Sequence, residues 1–229
     1  MLDDLKEEVF QANLALQRAG LVVLTWGNAS GLDRERGLVV IKPSGVSYAE
    51  MRPEHMVIVD LDGQVVQGKL RPSSDTPTHL ELYRNFPGIG GVAHTHSPYA
   101  TAWAQAKRSL PCLGTTHADH FRGTVPVTKD LTPQALAGDY ELETGRAIVA
   151  AFSNLNPHEI PAVLVASHGP FTWGPSATAA VQNSIVLEQV ALMALITQGL
   201  TPDAPSISQQ LLDKHFLRKH GKDAYYGQR

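Results

Sequence analysis

Residues 89–96 read IGGVAHTH, an apolar run that ends in two histidines. The run predicts a short buried β-strand, and side chains two residues apart on a strand project from the same face. We therefore expect His94 and His96 to point into one space where that strand ends. A second apolar run, residues 162–166, is followed by His168 in the same way. Three strand-end histidines predict a site for a divalent metal such as zinc, with a position left open for substrate. The alternative is that His94 and His96 are hydrogen-bonded core histidines.

The composition is that of an ordinary globular protein. The 229 residues suit a single domain, residues 1–229, with a sizeable core. A net charge of −3 gives no electrostatic reason to expect nucleic acid or an anionic membrane as a partner. The charged N-terminus is unlike a signal peptide, and no apolar stretch is expected to span a bilayer. The single cysteine, Cys112, excludes an internal disulfide. We expect a cytoplasmic protein.

The order of the predicted elements favours an antiparallel sheet. Apolar runs predict strands at residues 21–26, 38–41 and 56–61, and residues 64–67 follow an Asp62-Gly63 turn as the second strand of a hairpin. Helices are predicted over residues 2–18, from Thr76-Pro77 onward, near 99–106, over 132–152 and over 177–198, with a further strand at 125–128. Consecutive strands that are connected by hairpins predict a mixed α/β fold, in which a mostly antiparallel central sheet is sandwiched between α-helices.

Polar loops recur at the ends of these elements. They are WGNASG at residues 26–31, KPSG at residues 42–45 and SSD at residues 73–75. Glycine lets backbone N–H groups approach an anion, and serine and lysine side chains add hydrogen-bond donors. The loop at residues 73–75 also precedes the N-terminus of a predicted helix, and a helix N-terminus favours phosphate. Each loop alone is more often a plain turn. Together they predict binding of a small phosphorylated metabolite.

Two acidic residues are candidates for chemistry. Asp75 is either a fourth, harder metal ligand or the N-cap of the following helix, and the local sequence leaves both open. Asp119, in the stretch TTHADH at residues 115–120, is either a proton carrier or a solvated loop carboxylate. The C-terminal segment keeps two tyrosines, Tyr225 and Tyr226, which predicts docking on an ordered surface such as a subunit interface rather than a frayed end.

These motifs in this order resemble the class II aldolase/epimerase family over essentially the whole chain. The resemblance is carried by TWGNAS at 25–30, IKPSG at 41–45, PSSDTPT at 72–78, HTH at 94–96, GTTHAD at 114–119 and SHG at 167–169. LDKHFLRKHG at 212–221 and YYGQ at 225–228 are similar to the 4-epimerase branch of that family. The resemblance implies a mixed α/β sandwich around an antiparallel sheet, assembled as a homotetramer with active sites between subunits.

The resemblance also implies a role for each matched residue. Zinc, or another divalent cation, would be held by Asp75, His94, His96 and His168. Substrate contacts would come from Gly27, Asn28, Lys42, Ser44, Gly45, Ser73, Ser74, Thr115 and His215, and the proton carriers would be Asp119 and Tyr226. The implied reaction interconverts L-ribulose 5-phosphate and D-xylulose 5-phosphate by cleavage of C3–C4, rotation of the aldehyde and re-addition.

Two other functions stay open at this point. One is a metal-dependent sugar-phosphate aldolase like L-fuculose-1-phosphate aldolase, although the aldolases of this family carry glutamate where this chain has Asp75. The other is a non-catalytic protein that binds sugar phosphate or holds structural zinc. Structural zinc sites are usually closed and rich in cysteine, whereas this ligand set has none.

Overall fold

A seven-stranded sheet forms the centre of the computed structural model, which describes residues 2–226. The strands are β1 (Asn28–Asp33), β2 (Leu38–Ile41), β3 (Val57–Asp60), β4 (Val65–Gln67), β5 (Gly91–His94), β6 (Ala162–Leu164) and β7 (Pro170–Gly174). Their order is β4-β3-β2-β1-β5-β7-β6, and each neighbouring pair runs antiparallel. The register pairs Asn28 with His94, and His94 with Phe171, so the ends of β1, β5 and β7 meet at one edge.

Helices cover both faces of this sheet. They are α1 (Asp3–Arg18), α2 (Thr76–Asn85), α3 (Pro98–Gln105), α4 (Thr115–Ala118), α5 (Pro133–Ala137), α6 (Tyr140–Ala151), α7 (Ala177–Leu200) and α8 (Gln209–His220), with a 3₁₀ turn at Pro53–His55. Alternate strand residues separate the core into two clusters: Val39 and Val59 pack in the cluster that contains α2, whereas Val40 and Ile58 pack in the cluster that contains α1. The predicted α/β sandwich is confirmed.

Three predicted elements were wrong. Residues 21–26 form a loop rather than a strand, although the run is apolar, and Val23, Leu24 and Trp26 are exposed on it. Residues 125–128 make only isolated bridges, Val125 with Leu110 and Val127 with Leu164. The helix predicted over 132–152 is broken after Ala137, because Gly138 leaves the helical conformation and the Asp139 side chain caps a new helix by accepting from Leu142 N.

Helix α7 is long and apolar enough, by length and composition alone, to cross a membrane. The same test is passed by core helices, and α7 packs against β5, β7, α1 and α3. It also carries a buried carboxylate, Glu188, that accepts hydrogen bonds from the N–H groups of Tyr99 and Ala100 at the start of α3, both at 2.9 Å. These contacts are those of a core helix.

Candidate metal centre and substrate cavity

Three histidines converge at the edge where β1, β5 and β7 meet. His94 is the last residue of β5, His96 follows two residues later, and His168 lies in the turn between β6 and β7. One potential ligand atom from each residue lies within 4.8 Å of the others, and the Nε2 atoms of His94 and His96 are 2.9 Å apart. The convergence expected from the sequence is therefore present in the fold.

The chemistry of these three side chains fits a divalent metal ion. The Nδ1 of His94 donates to the carbonyl oxygen of Pro170 at 2.9 Å, which leaves Nε2 as the nitrogen with a free lone pair. Burial and the neighbouring His94 lower the pKa of His96 below its usual range. Burial, then His94 and His96, lower the pKa of His168 to about 4. The lowered pKa values of His96 and His168 favour neutral imidazole, the form that binds a metal.

Glycine lets the surrounding backbone approach this centre. Gly27 has a φ of +70°, and a Cβ there would lie 2.8 Å from the carbonyl oxygen of His94. At Gly169 a Cβ would lie 2.7 Å from the carbonyl oxygen of Thr95. Any larger residue at either position would push the loops away from the segment that carries His94 and His96.

Asp75 occupies the N-cap position of α2, but its side chain makes no capping hydrogen bond. Its Oδ2 instead accepts from Nδ2 of Asn28 at 2.6 Å, in the cavity that the histidines line. Burial raises the pKa of Asp75, but electrostatic interactions with His94 and His79 and the Asn28 hydrogen bond outweigh burial, and the pKa is lowered. Asp75 is therefore the N-cap residue by position, but its side chain does not cap the helix. Among the described residues, the cluster of mutually close ligand atoms contains the three histidines and not Asp75.

The three polar loops line the same cavity as the histidines, a space of about 420 Å³. They contribute Gly27, Asn28, Lys42, Ser44, Gly45, Ser73 and Ser74, together with Thr25, Trp26 and Pro43. The loops are tied together, since Ser73 N donates to Lys42 O and Ser44 N donates to Arg71 O. The Nδ2 of Asn28 also donates to Ser73 Oγ at 3.0 Å. These three polar stretches therefore form one wall, although residues 28–31 of the first belong to β1 rather than to the predicted loop.

Lys42 is the cationic group in this wall. It is 2% exposed, and its Nζ donates to the carbonyl oxygens of Thr25, Pro43 and Val46 at 3.0–3.3 Å. Burial lowers the pKa of Lys42 to about 8. Carbonyl oxygens carry no net charge, so the ammonium is held in place without a neutralising carboxylate. A buried, unneutralised cation is a favourable setting for an anionic ligand.

The remaining predicted residues lie in a second cluster, between α4 and α8. Asp119 follows α4 and is 8% exposed. Two nitrogens of the Arg218 guanidinium donate to the Asp119 carboxylate, and His215 Nδ1 lies 3.0 Å from Asp119 Oδ1. Burial raises the pKa of Asp119, but the hydrogen bonds from Arg218 and His215 and the charge of Lys219 outweigh burial, and the pKa is lowered. This carboxylate is therefore ionised at neutral pH.

Tyr226 belongs to this second cluster. Its ring lies 4.7 Å from the guanidinium of Arg218 and 4.6 Å from Nζ of Lys219, and its backbone N–H donates to Arg218 O. Thr115 begins α4, and its carbonyl oxygen accepts from Asp119 N. None of Thr115, Asp119, His215 and Tyr226 is among the residues that line the histidine cavity in the described part of the chain. Gly227 and Gln228 of the tail motif lie outside the described residues.

Two residues of the cavity were not predicted from the sequence. Tyr140 and Glu141 begin α6 and line the cavity beside His168. The Tyr140 hydroxyl lies 3.3 Å from His168 Nδ1. The signal that could have found them is the Gly138-Asp139 pair, because a glycine followed by an N-capping residue marks a new helix start.

Residues 7–195 match the family described as Class II Aldolase and Adducin N-terminal domain, and the chain belongs to that family. An L-fuculose 1-phosphate aldolase structure is 25% identical, with a TM-score of 0.78 over 93% of this chain and 94% of that one. The L-fuculose-1-phosphate aldolase from Thermus thermophilus is also 25% identical, with a TM-score of 0.69 over 88% of this chain and 99% of that one. The family's description joins aldolases with adducin, so membership alone does not define a reaction.

Proposed function

We propose that this protein is a divalent-metal-dependent L-ribulose-5-phosphate 4-epimerase. It would interconvert L-ribulose 5-phosphate and D-xylulose 5-phosphate by cleaving and re-forming the C3–C4 bond. The observation that carries the proposal is Asp75: its carboxylate faces the histidine cavity, and Asn28 holds it at 2.6 Å. A short, ionised carboxylate held beside three histidines is suited to hold or orient a metal. The proton transfers then fall to other groups.

The chemistry of the substrate favours carbon–carbon cleavage. In a 5-phospho-2-ketopentose the C4 hydrogen is β to the carbonyl and is not acidified by it. In the cleavage, the C4 hydroxyl loses its proton, C4 becomes an aldehyde, and the electrons of C3–C4 pass into an enediolate over C2 and C3. A divalent cation bound by the histidines would act as a Lewis acid that stabilises this negative charge.

The polar loops would hold the fragment that rotates. Because the phosphate is on C5, cleavage leaves it on the aldehyde, as glycolaldehyde phosphate, while the enediolate is that of dihydroxyacetone. The aldehyde must then turn about C4–C5 and present its other face. Lys42 and the loops at residues 42–45 and 73–75 would keep the phosphate in place during that turn. An anchored fragment recombines faster than it escapes.

The second cluster supplies the groups that inversion requires. The C4 oxygen stays on C4, loses its proton on one side before cleavage and regains a proton on the other side after the aldehyde has turned. Inversion therefore needs a proton carrier on each side. Asp119 is ionised, the state that a base needs, and Tyr226 offers a phenol close to two cations. We infer that this cluster reaches the histidine cavity of a neighbouring subunit in a homotetramer. The exposed apolar residues Val23, Leu24 and Trp26, on the loop at the cavity rim, support such an interface.

An aldolase that releases its aldehyde is the second candidate, favoured by the two structures named L-fuculose 1-phosphate aldolase. Aspartate at position 75 and the ordered cluster around Tyr226 favour the epimerase over it. A non-catalytic role is disfavoured because the three histidines face a polar cavity, as catalytic metal ligands do, whereas structural sites are closed.

One experiment separates these functions. The purified protein, loaded with Zn²⁺, is incubated with L-ribulose 5-phosphate, and the products are resolved by NMR. We expect D-xylulose 5-phosphate to form. Accumulation of dihydroxyacetone and glycolaldehyde phosphate alone would support the aldolase, and unchanged substrate that nonetheless binds would support the non-catalytic role. His96→Ala should abolish turnover and metal content, whereas His158→Ala, at an exposed histidine elsewhere, should change neither.

A further inference from the structure

Tyr140 is the aromatic residue that closes one side of the histidine cavity. Its hydroxyl lies 3.3 Å from Nδ1 of His168, and its side chain is partly open to the cavity, with the residue 36% exposed. The ring also borders a second cavity, of about 300 Å³, formed by residues that include Lys129 and Ser167. The phenol therefore stands in the wall between the two spaces, next to a candidate metal ligand.

The fold fixes this side chain relative to the rest of the site. Tyr140 is the first residue of α6, whose start is set by the Asp139 cap, and the Tyr140 carbonyl accepts from Thr144 Oγ1 at 2.8 Å. Helix α6 packs along α2, and Thr78 Oγ1 donates to Glu141 O at 2.6 Å. Because Asp75 immediately precedes the same α2, Tyr140 and Asp75 are positioned by one pair of packed helices.

The hydrogen bond to His168 determines which ring nitrogen is available. With Nδ1 engaged by Tyr140, Nε2 is the nitrogen left to bind a metal ion. A ligating imidazole carries its proton on the other nitrogen, so Nδ1–H would donate and the Tyr140 oxygen would accept. The hydroxyl hydrogen of Tyr140 is then not used by His168, and it can donate to a group in the cavity.

We propose that Tyr140 positions His168 as a metal ligand, and that its hydroxyl hydrogen donates to an oxygen of the bound substrate. The first part needs only that the histidines bind a metal. The second part rests on the proposed function, since it requires an oxygen-rich substrate in this cavity. Tyr140 thereby couples the geometry of the metal site to the presence of substrate.

The test of the first part uses metal alone. In Tyr140→Phe the ring is kept and the hydroxyl is lost, and the dissociation constants for Zn²⁺ and Co²⁺ should rise by about 10- to 100-fold, the usual cost of removing a partner of a ligating histidine. The visible spectrum of the Co²⁺ protein should also shift. Tyr99→Phe is the matched control, because Tyr99 is 37% exposed and does not line the cavity. Unchanged metal affinity in Tyr140→Phe, or an equal loss in Tyr99→Phe, would overturn the positioning role.

The test of the second part uses saturating metal. Tyr140→Phe should then still show a raised KM for L-ribulose 5-phosphate, because the donor to the substrate is gone. A KM equal to that of the wild type under saturating metal would overturn the substrate contact. If the wild-type protein binds Zn²⁺ but does not turn over this sugar, the proposed function and the substrate contact both fail, whereas the metal affinities still decide whether Tyr140 positions His168. Thermal unfolding of both variants establishes that they are folded.

Discussion

The guanidinium of Arg218 forms two hydrogen bonds with the carboxylate of Asp119, from Nε to Oδ1 at 3.0 Å and from Nη2 to Oδ2 at 2.7 Å. The pair joins the C-terminal helix α8 to the short helix α4, and it also sets the chemistry of the carboxylate. With His215 on the same oxygen, Asp119 is an ionised acceptor whose orientation is fixed. An ionised carboxylate with a fixed orientation can accept a proton from a group that comes within hydrogen-bond reach.

Asp119→Asn should lower the rate of epimerisation by about 10²–10⁴-fold, the usual contribution of a positioned acid or base. The amide keeps one acceptor oxygen for Arg218 but cannot take a proton. Asp213→Asn is the control, since Asp213 forms a comparable pair with Arg122 and also anchors α8. The measurement is kcat on L-ribulose 5-phosphate. An equal loss in Asp213→Asn would mean that loosening of α8, and not proton transfer, caused the defect.

Tyr226→Phe should also lower epimerisation by about 10²–10⁴-fold. The ring can stay over Arg218 and Lys219, so the variant removes the phenolic proton and leaves the packing. Tyr225→Phe serves as the control because the two tyrosines are equally exposed, at 60% and 59%. Truncation after Ala224 should be as inactive as Tyr226→Phe. A truncated protein that epimerises at full rate would show that the tyrosine carries no proton.

Asp75→Glu should lose epimerisation while keeping slow cleavage of C3–C4. The longer side chain cannot keep the 2.6 Å hydrogen bond to Asn28 in place, and its carboxylate reaches further into the cavity, where it can act as a base. Products are resolved as epimer and as glycolaldehyde phosphate. Asp62→Glu, at an exposed turn, should behave as the wild type. Unchanged epimerisation in Asp75→Glu would mean that side-chain length at this position is irrelevant.

Lys42→Met should raise KM for the phosphorylated sugar by about 10- to 100-fold, because it removes the buried positive charge that attracts the phosphate. Burial lowers the pKa of Lys42 to about 8. The side chain is therefore fully protonated well below pH 8 and loses its positive charge as the pH rises through 8. The wild-type KM should therefore rise between pH 7 and pH 9, and this rise should be absent in Lys42→Met. Lys69→Met, at an exposed lysine, should keep the wild-type profile. Equal efficiency on unphosphorylated L-ribulose would rule out a phosphate site in the cavity.

The sandwich fold was predictable because hairpin spacing and alternating burial are local patterns, and His94 and His96 were predictable because a strand places them on one face. The pairing of residues across the sheet was not predictable, since no local sequence pattern indicates that Asn28 lies opposite His94. The loop at residues 21–26 was misassigned because an apolar run indicates burial or an interface without indicating which. Tyr140 was missed because a helical pattern continues through Gly138, where the backbone actually breaks.

The shared site makes the sharpest prediction. If the histidines of one subunit meet Asp119 of its neighbour, then His96→Ala and Asp119→Asn subunits, each inactive alone, should regain activity when they are mixed. A His96→Ala subunit keeps an intact Asp119, and an Asp119→Asn subunit keeps intact histidines, so some mixed sites are complete. With equimolar random assembly in a cyclic oligomer, about a quarter of the sites should be wild type.

The control for this experiment is a mixture of His96→Ala and His94→Ala subunits. Both substitutions damage the same histidine cluster, whose ligand atoms lie within 4.8 Å of one another in one chain. No arrangement of these subunits therefore restores a complete site. Activity is measured after the paired variants are unfolded and refolded together, and the oligomeric state is measured by light scattering. Recovery in the first mixture and none in the second would locate Asp119 in the neighbouring subunit. No recovery in either mixture, from oligomers that demonstrably contain both variants, would mean that Asp119 and the histidines act within one chain.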